Sequence, residues 1–231
     1  MAILTPTKDK GAQTKLNEML YVEPAQLVTD DALETQLPDI GLNTPFVADV
    51  LSAMLTHERC GTHLYRAVSA RTNNPMLQRK YTEFGAETER HVEILESLIA
   101  QMGGNPNYVS PNARAVEGMN TKLLESTYAT SGSLDLMTQE MALLDAVFLA
   151  ESMDHANWST LSTLVERMPP GDLRSAFAAA VSEVEAQEDE HLGWASDTKQ
   201  RLIVMQSESG VMSTVEMKAE EIVARIRTWF D

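Results

Sequence analysis

The sequence predicts an all-α protein, and three observations support that prediction. The 231-residue chain is 43% hydrophobic but only 6% aromatic, and it is rich in the Ala, Leu, Met and Glu residues that favour helices. Long segments repeat apolar residues at helical spacing. Asn-Pro, Gly-Gly and Pro-Pro-Gly sequences separate these segments. We therefore expect one elongated helical domain flanked by two tails.

The first two predicted helices form an antiparallel hairpin. Thr44 is a suitable N-cap with Pro45 at the first helical position, and an apolar stripe then continues towards residue 71. Asn74 and Pro75 repeat this start for the second helix, which is expected to end at a Gly-Gly pair. The short connection between the two helices requires them to run side by side.

A long crossover and a second hairpin follow. Residues 105–133 mix prolines, glycines and polar residues, which indicates a crossover with a short helix at about 121–128. The third and fourth helices are predicted at about 134–168 and 172–207, separated by Pro-Pro-Gly. The helical domain thus spans residues 44–208.

The two tails differ in character. Residues 1–43 show little periodicity and are predicted to form a partly extended N-terminal arm. Residues 209–231 contain a Ser-x-x-Glu capping box followed by an amphipathic pattern, which predicts a C-terminal helix. This helix either docks on the domain, which is the favoured reading, or presents Trp229 and Phe230 to another chain. A homo-oligomer is expected, with this helix as a candidate contact.

Charge and composition exclude several kinds of partner. The net charge of −16 repels nucleic-acid phosphates. Cys60 is the only cysteine, so no intrachain disulfide can form and a reducing cytoplasmic location is expected. We find neither an apolar run long enough to span a membrane nor the hydrophobic region of a signal peptide. We therefore expect no nucleic acid and no membrane as partner.

Glutamates on apolar helix faces suggest a metal site. Glu58 and Glu151 each interrupt an apolar stripe, with leucine seven residues before and an aromatic residue seven residues after. A carboxylate on such a face loses hydration, at a cost of several kcal/mol, unless it is protonated, paired or coordinated. The alternatives are a position at the rim or pairing with an arginine. Glu188 and His191, three residues apart, share one helix face and can bind one ion together.

Distance from the turns brings each glutamate level with a histidine. Glu58 precedes Asn74 by 16 residues, and His91 follows it by 17. In the second hairpin Glu151 precedes Pro170 by 19 residues, and His191 follows it by 21. Because helical rise per residue is constant, both pairs are expected to face each other across their hairpins.

This arrangement resembles the ferritin-like superfamily of diiron and dimanganese carboxylate proteins. The resemblance covers residues 44–208 and implies an up-and-down four-helix bundle made of two antiparallel hairpins and a long crossover. It also implies two metal ions bridged by carboxylates, with Fe or Mn favoured over Zn by oxygen-rich ligation. The ligands that it implies are Glu58, Glu87, His91, Glu151, Glu188 and His191.

The second helix departs from the family pattern. Three residues before His91 stands Thr88, and Glu87 is four residues before it. Glu87 would approach the metal from a different side, or a π-bulge near Gly85 would restore the geometry. A third possibility is a weakened metal position, which leaves a mixed or mononuclear site.

Other polar and aromatic residues are expected to support the ligands or to pack. His155 and Asp154 follow Glu151 closely and are expected to assist at the site. Tyr65 and Trp158 lie beyond the two core acids and are expected beside them. The remaining histidines, His57 and His63, are expected to pack between helices.

The resemblance implies oxidoreductase chemistry of the ferroxidase, oxidase or peroxidase type, with O2, peroxide or Fe(II) as possible substrates. The chain has no CxxC motif, so electrons would come from a separate donor or from Fe(II) itself. The main alternative is a non-catalytic binding or assembly module with a degenerate or mononuclear metal site. A third reading is an unrelated helical repeat.

Overall fold

The computed structural model describes residues 4–7, 11–14, 40–129 and 136–208. Five helices make up its core: α1 (Thr44–Arg71), α2 (Pro75–Gln101), α3 (Pro111–Ala129), α4 (Leu136–Arg167) and α5 (Asp172–Glu208). Two strands near the N-terminus, β1 (Leu4–Thr7) and β2 (Gly11–Thr14), pair in antiparallel fashion. The described core is entirely helical, which confirms the all-α prediction.

The α1–α2 hairpin begins one residue earlier than expected. Asn43, not Thr44, caps α1, and its side-chain oxygen accepts a hydrogen bond from the Phe46 backbone N–H at 3.3 Å. Asn74 caps α2 as predicted, accepting from the Met76 N–H at 2.9 Å. The helix ends just before Gly103, whose φ of 76° lies in the left-handed region that favours glycine.

The crossover contains a longer helix than the sequence pattern predicted. We expected about eight residues, but α3 covers 111–129 because it begins at a Ser-Pro start that the prediction overlooked. Ser110 Oγ accepts from the Ala113 backbone N–H at 3.0 Å, which is an N-cap contact. The helix packs against α1 and α4, so it contacts both hairpins.

The second hairpin, α4 and α5, lies within two residues of its predicted boundaries. The two hairpins pack through α1 against α4 and through α2 against α5, which makes a helical bundle. None of the described helices combines the length and the apolar character that a transmembrane span requires. The predicted C-terminal helix and most of the N-terminal arm lie outside the described residues.

Two large apolar clusters lie between the four long helices, and a polar layer separates them. The first cluster lies at the start of α1, the end of α2, the end of α4 and the start of α5. The second occupies the opposite end of each of these helices. Between the two clusters, each of the four long helices passes through a polar layer. This layer contains the glutamates and histidines that the sequence analysis singled out. The first cluster includes Leu51, Leu55, Leu95, Leu98, Trp158, Leu161 and Phe177, and the second includes Tyr65, Tyr81, Phe84, Leu143, Leu144 and Val147.

Candidate metal centre

Five of the six predicted ligand residues meet in the middle of the bundle. They are contributed by all four long helices and are at most 3% exposed. The expectation that each hairpin brings a glutamate level with a histidine is met on both sides of the bundle. The five residues are Glu58 on α1, His91 on α2, Glu151 on α4, and Glu188 and His191 on α5.

The five residues form two overlapping groups that share Glu188. One group joins Glu58, His91 and Glu188, the other joins Glu151, Glu188 and His191, and within each group the three ligand atoms lie within 4.8 Å of one another. His91 Nδ1 lies 3.1 Å from Glu188 Oε1 and 3.6 Å from Glu58 Oε2. His191 Nδ1 lies 3.2 Å from Glu151 Oε2. Each group could hold a metal ion, and Glu188 belongs to both groups.

The inward-facing atoms have no hydrogen-bond partner outside the centre, where they face only one another. They include both carboxylate oxygens of Glu188, one oxygen each of Glu58 and Glu151, and Nδ1 of both histidines. Buried polar atoms are almost always hydrogen-bonded, and leaving them unpaired costs about 1–3 kcal/mol each. A pair of cations would satisfy all of these atoms together, and two free oxygens on Glu188 are what a bridging carboxylate needs. The residues present therefore fit a metal pair.

Each histidine is oriented by a side chain from the opposite hairpin. His91 Nε2–H donates to Gln187 Oε1 at 2.8 Å, and His191 Nε2–H donates to Glu87 Oε2 at 2.7 Å. With its proton on Nε2, each ring in its neutral form would present the Nδ1 lone pair to the centre, which is the tautomer that a metal requires. Glu87 precedes His91 by four residues, and Gln187 precedes His191 by four. The contacts are therefore exchanged symmetrically between α2 and α5.

Glu87 does not lie where it was expected, among the ligand atoms that face the centre. Its side chain is 32% exposed and contacts the outer nitrogen of His191, so the structure does not bring it to the inward-facing atoms. The helix α2 continues without a π-bulge through Gly85. The sequence prediction missed Gln187, although its alignment with Glu87 between the two hairpins was a usable signal.

Tyr65 and Trp158 hold the two outer glutamates, as expected of supporting residues. The Tyr65 hydroxyl donates to Glu151 Oε1 at 2.7 Å, and Trp158 Nε1 donates to Glu58 Oε1 at 2.8 Å. Each contact fixes one carboxylate oxygen and leaves the other facing the centre. These two aromatic residues occupy matching positions in the two hairpins, so the internal repeat extends to the residues that orient the ligands.

Two further predicted residues, Asp154 and His155, lie in different places, one in the interior and one at the surface. Asp154 is buried beside Glu58, and burial together with the charges of Glu58 and Glu188 raises its pKa well above the usual value. His155 does not support the site, because its side chain is 40% exposed and binds Asp189 at 2.9 Å. It points away because it lies about 100° around the helix from Asp154.

The other two histidines also have different environments. His57 packs between helices as expected: its Nε2–H donates to the Ala150 carbonyl at 3.1 Å, and its Nδ1 accepts from Asn120 at 3.0 Å. Burial lowers its pKa, so the ring is held neutral. His63 was expected to pack as well, but it lies exposed on α1 because its position turns away from both hairpin and crossover.

The electrostatics of the centre favour bound protons. Burial raises the pKa of Glu188 to about 7 against the opposing effect of His91. Burial by itself would lower the pKa of His91, but the nearby carboxylates of Glu188 and Glu58 raise it to about 10. Bound protons thus reduce the negative charge of the layer, and a metal ion bound there would displace them.

No protein-family model matches the chain, and neither the curated proteins nor the solved structures include a significant match. The helical bundle and its buried glutamate and histidine groups are compatible with a ferritin-like fold.

Proposed function

We propose that the protein is a ferritin-like metal-binding protein whose carboxylate-bridged dinuclear Fe or Mn centre carries out oxygen or peroxide chemistry. One observation carries the proposal: two groups of three inward-facing ligand atoms share Glu188, and these atoms are buried with no hydrogen-bond partner outside the centre. A packed apolar interior would not retain so many unpaired polar atoms unless they bind something.

The ligand types favour Fe or Mn. Glu58 and His91 would hold one ion, Glu151 and His191 the other, and Glu188 both. Three carboxylates and two imidazoles form an oxygen-rich set, and no cysteine joins either group among the described residues. Such a metal pair, in its reduced form, would supply electrons and Lewis acidity for the reduction of O2 or peroxide.

The surrounding residues keep the ligands in place and exclude water. Tyr65 and Trp158 fix the outer glutamates, while Glu87 and Gln187 fix the imidazoles. The apolar clusters above and below the layer keep its ligands at most 3% exposed. A reaction in such a site proceeds away from bulk water, in a medium of low dielectric constant.

A cavity of about 410 Å³ between α1 and α2 is the proposed approach for small molecules. Its lining includes Tyr65, whose hydroxyl binds Glu151. The Tyr65 side chain therefore connects the wall of the cavity to Glu151, one of the proposed metal ligands. Small substrates such as O2 and peroxide suit this path better than large ones.

Metal content tests the proposal directly. Protein purified from medium supplemented with Fe and Mn is expected to contain about two ions per chain. Glu188→Ala should abolish binding at both positions, because each group includes Glu188, whereas the matched control His63→Ala should bind like the wild type. Elemental analysis with circular dichroism provides the measurement. A wild-type chain that is folded but metal-free would contradict the proposal.

A second candidate function is a non-catalytic binding or assembly module with a degenerate metal site. It is favoured by Thr88, a residue that cannot act as a bridging carboxylate at the position where the family has one. Binding of about two ions without consumption of O2 or peroxide by the reduced protein would support this candidate over the redox enzyme.

A further inference from the structure

A second acid on α4 lies buried one turn beyond Glu151. Asp154 is 5% exposed, and its Oδ1 atom is buried without a hydrogen-bond partner. It follows Glu151 by three residues, so the two side chains share one helix face. The Asp154 side chain lies within hydrogen-bonding range of the Glu58 carboxylate, and Glu188 and Glu151 are also close enough to act on its charge. Asp154 thus belongs to the layer of ligands.

The other buried acids outside the two ligand groups have partners elsewhere. Glu140 accepts from the Thr72 hydroxyl and the Asn73 backbone N–H at 2.7 Å each, and Asp49 is hydrogen-bonded to Ser110. Among the described residues, no lysine or arginine forms an ion pair with Asp154. Asp154 differs from Glu140 and Asp49 because the groups that act on its charge are themselves acids.

Thr88 stands at the position where the resemblance implies a carboxylate ligand. The resemblance implies four carboxylates around two metal ions, but the two ligand groups contain only three. The fourth would come from position 88, where the threonine is buried and its hydroxyl donates to the Phe84 carbonyl at 2.9 Å. The side of the centre near Glu58 and His91 therefore lacks a carboxylate from α2.

We infer that Asp154 is a metal ligand, and that it supplies from α4 the fourth carboxylate that Thr88 cannot supply from α2. It would bind the ion held by Glu58 and His91, because it lies beside Glu58. With Asp154 the centre has four carboxylates, whose charges balance two divalent cations. This inference rests on the proposed dinuclear centre, but it concerns a residue outside both three-residue ligand groups.

Metal titration of an isosteric variant tests the inference. Metal-free wild type, Asp154→Asn and the control Asp189→Asn are titrated with Mn(II) by calorimetry, and circular dichroism verifies folding. Asp189 is exposed on α5, so its variant should bind about two ions as the wild type does. Asp154→Asn should keep one site of wild-type affinity and bind the second ion at least about tenfold more weakly. Adding Thr88→Glu to Asp154→Asn should restore the second site.

The outcomes separate the two proposals. If Asp154→Asn binds both ions with wild-type affinity, the inference is wrong while the dinuclear centre stands. If the wild type binds no Mn(II) or Fe(II), the dinuclear centre itself is wrong. A crystal structure of the wild type grown with Mn(II) provides a measurement that needs no variant: an Asp154 oxygen at coordination distance from an ion supports the inference, and a distant carboxylate overturns it.

Discussion

At the scale of single residues, the five ligand side chains of the centre differ in whether a residue outside the centre forms a hydrogen bond with them. Each of the four outer ligands has one atom held from outside the centre: Glu58 by Trp158, Glu151 by Tyr65, His91 by Gln187 and His191 by Glu87. Glu188 has no such contact from outside, and its Oε1 faces Nδ1 of His91 inside the centre at 3.1 Å. This difference is expected of a shared ligand, because any outside contact would occupy an oxygen that the second ion needs.

Tyr65 offers a test of these outside contacts. Tyr65→Phe removes the hydroxyl that holds Glu151 and should weaken one of the two metal sites by about 10- to 100-fold, with little effect on the other. The matched control is Tyr81→Phe, because the Tyr81 hydroxyl is also buried but has no hydrogen-bond partner. Mn(II) titration measures both variants. Equal losses in the two variants would mean that the Tyr65 contact does not orient the ligand.

At the scale of helices, α3 shows how a short local signal was overlooked. The prolines and glycines of the crossover suggested an irregular segment, yet Pro111 occupies the first position of a helix, where proline is favoured. Ser110 caps that helix and also donates to the Asp49 carbonyl at 3.3 Å. One serine therefore starts α3 and attaches it to α1.

Ser110→Ala should destabilise the protein by about 1–2 kcal/mol, the upper part of the range for a lost N-cap, because a contact between helices is lost as well. Ser126→Ala is the matched control, since Ser126 lies exposed on the same helix and alanine is the better helix former. Urea unfolding of the metal-free protein measures the free energy of unfolding for both. Equal stability of the Ser110 variant and the wild type would show that the cap is unimportant.

At the scale of the whole molecule, the proposed metal binding would be linked to folding. The ligands come from four helices, so the two positions exist only when both hairpins are packed together. A ligand that binds only the folded state stabilises it, by about 2.7 kcal/mol at a concentration one hundred times its dissociation constant. Without metal, the same buried carboxylates oppose folding.

Glu188→Gln should therefore change stability in opposite directions with and without metal. The pKa of Glu188 is raised from 4.5 to about 7 in the folded protein, so the folded state binds the proton more tightly and loses stability as pH rises between these values. At about pH 8 and without metal, the variant should be more stable than the wild type. With excess Mn(II) it should be less stable. Thermal unfolding in both conditions measures this; destabilisation in both would contradict it.

Much of the candidate site could be predicted because axial position along a helix is a local property. Asn74 and Pro170 mark the turns, and a fixed rise per residue then places Glu58 opposite His91 and Glu151 opposite His191. The mismatch of two residues in the second hairpin did not prevent the contact, which is 3.2 Å between His191 Nδ1 and Glu151 Oε2. Counting residues was sufficient for these pairs.

The direction in which a side chain points across the bundle could not be predicted by counting residues. Glu87 was expected at the metal, but it reaches the outer nitrogen of His191 on the opposite hairpin. His155 and Asp154 are adjacent in sequence, yet one is largely exposed and the other lies beside Glu58. These outcomes depend on how α2, α4 and α5 are rotated against one another.

The sequence by itself determined the all-α class, the two hairpins and the level of the ligand layer, because caps, breakers and helical rise act over a few residues. Only the tertiary structure decided that Glu188 is shared, that Glu87 and Gln187 exchange partners and that Asp154 joins the buried carboxylates. The physical reason is that these contacts form between residues distant in sequence, and helix packing alone sets the rotation that brings them together.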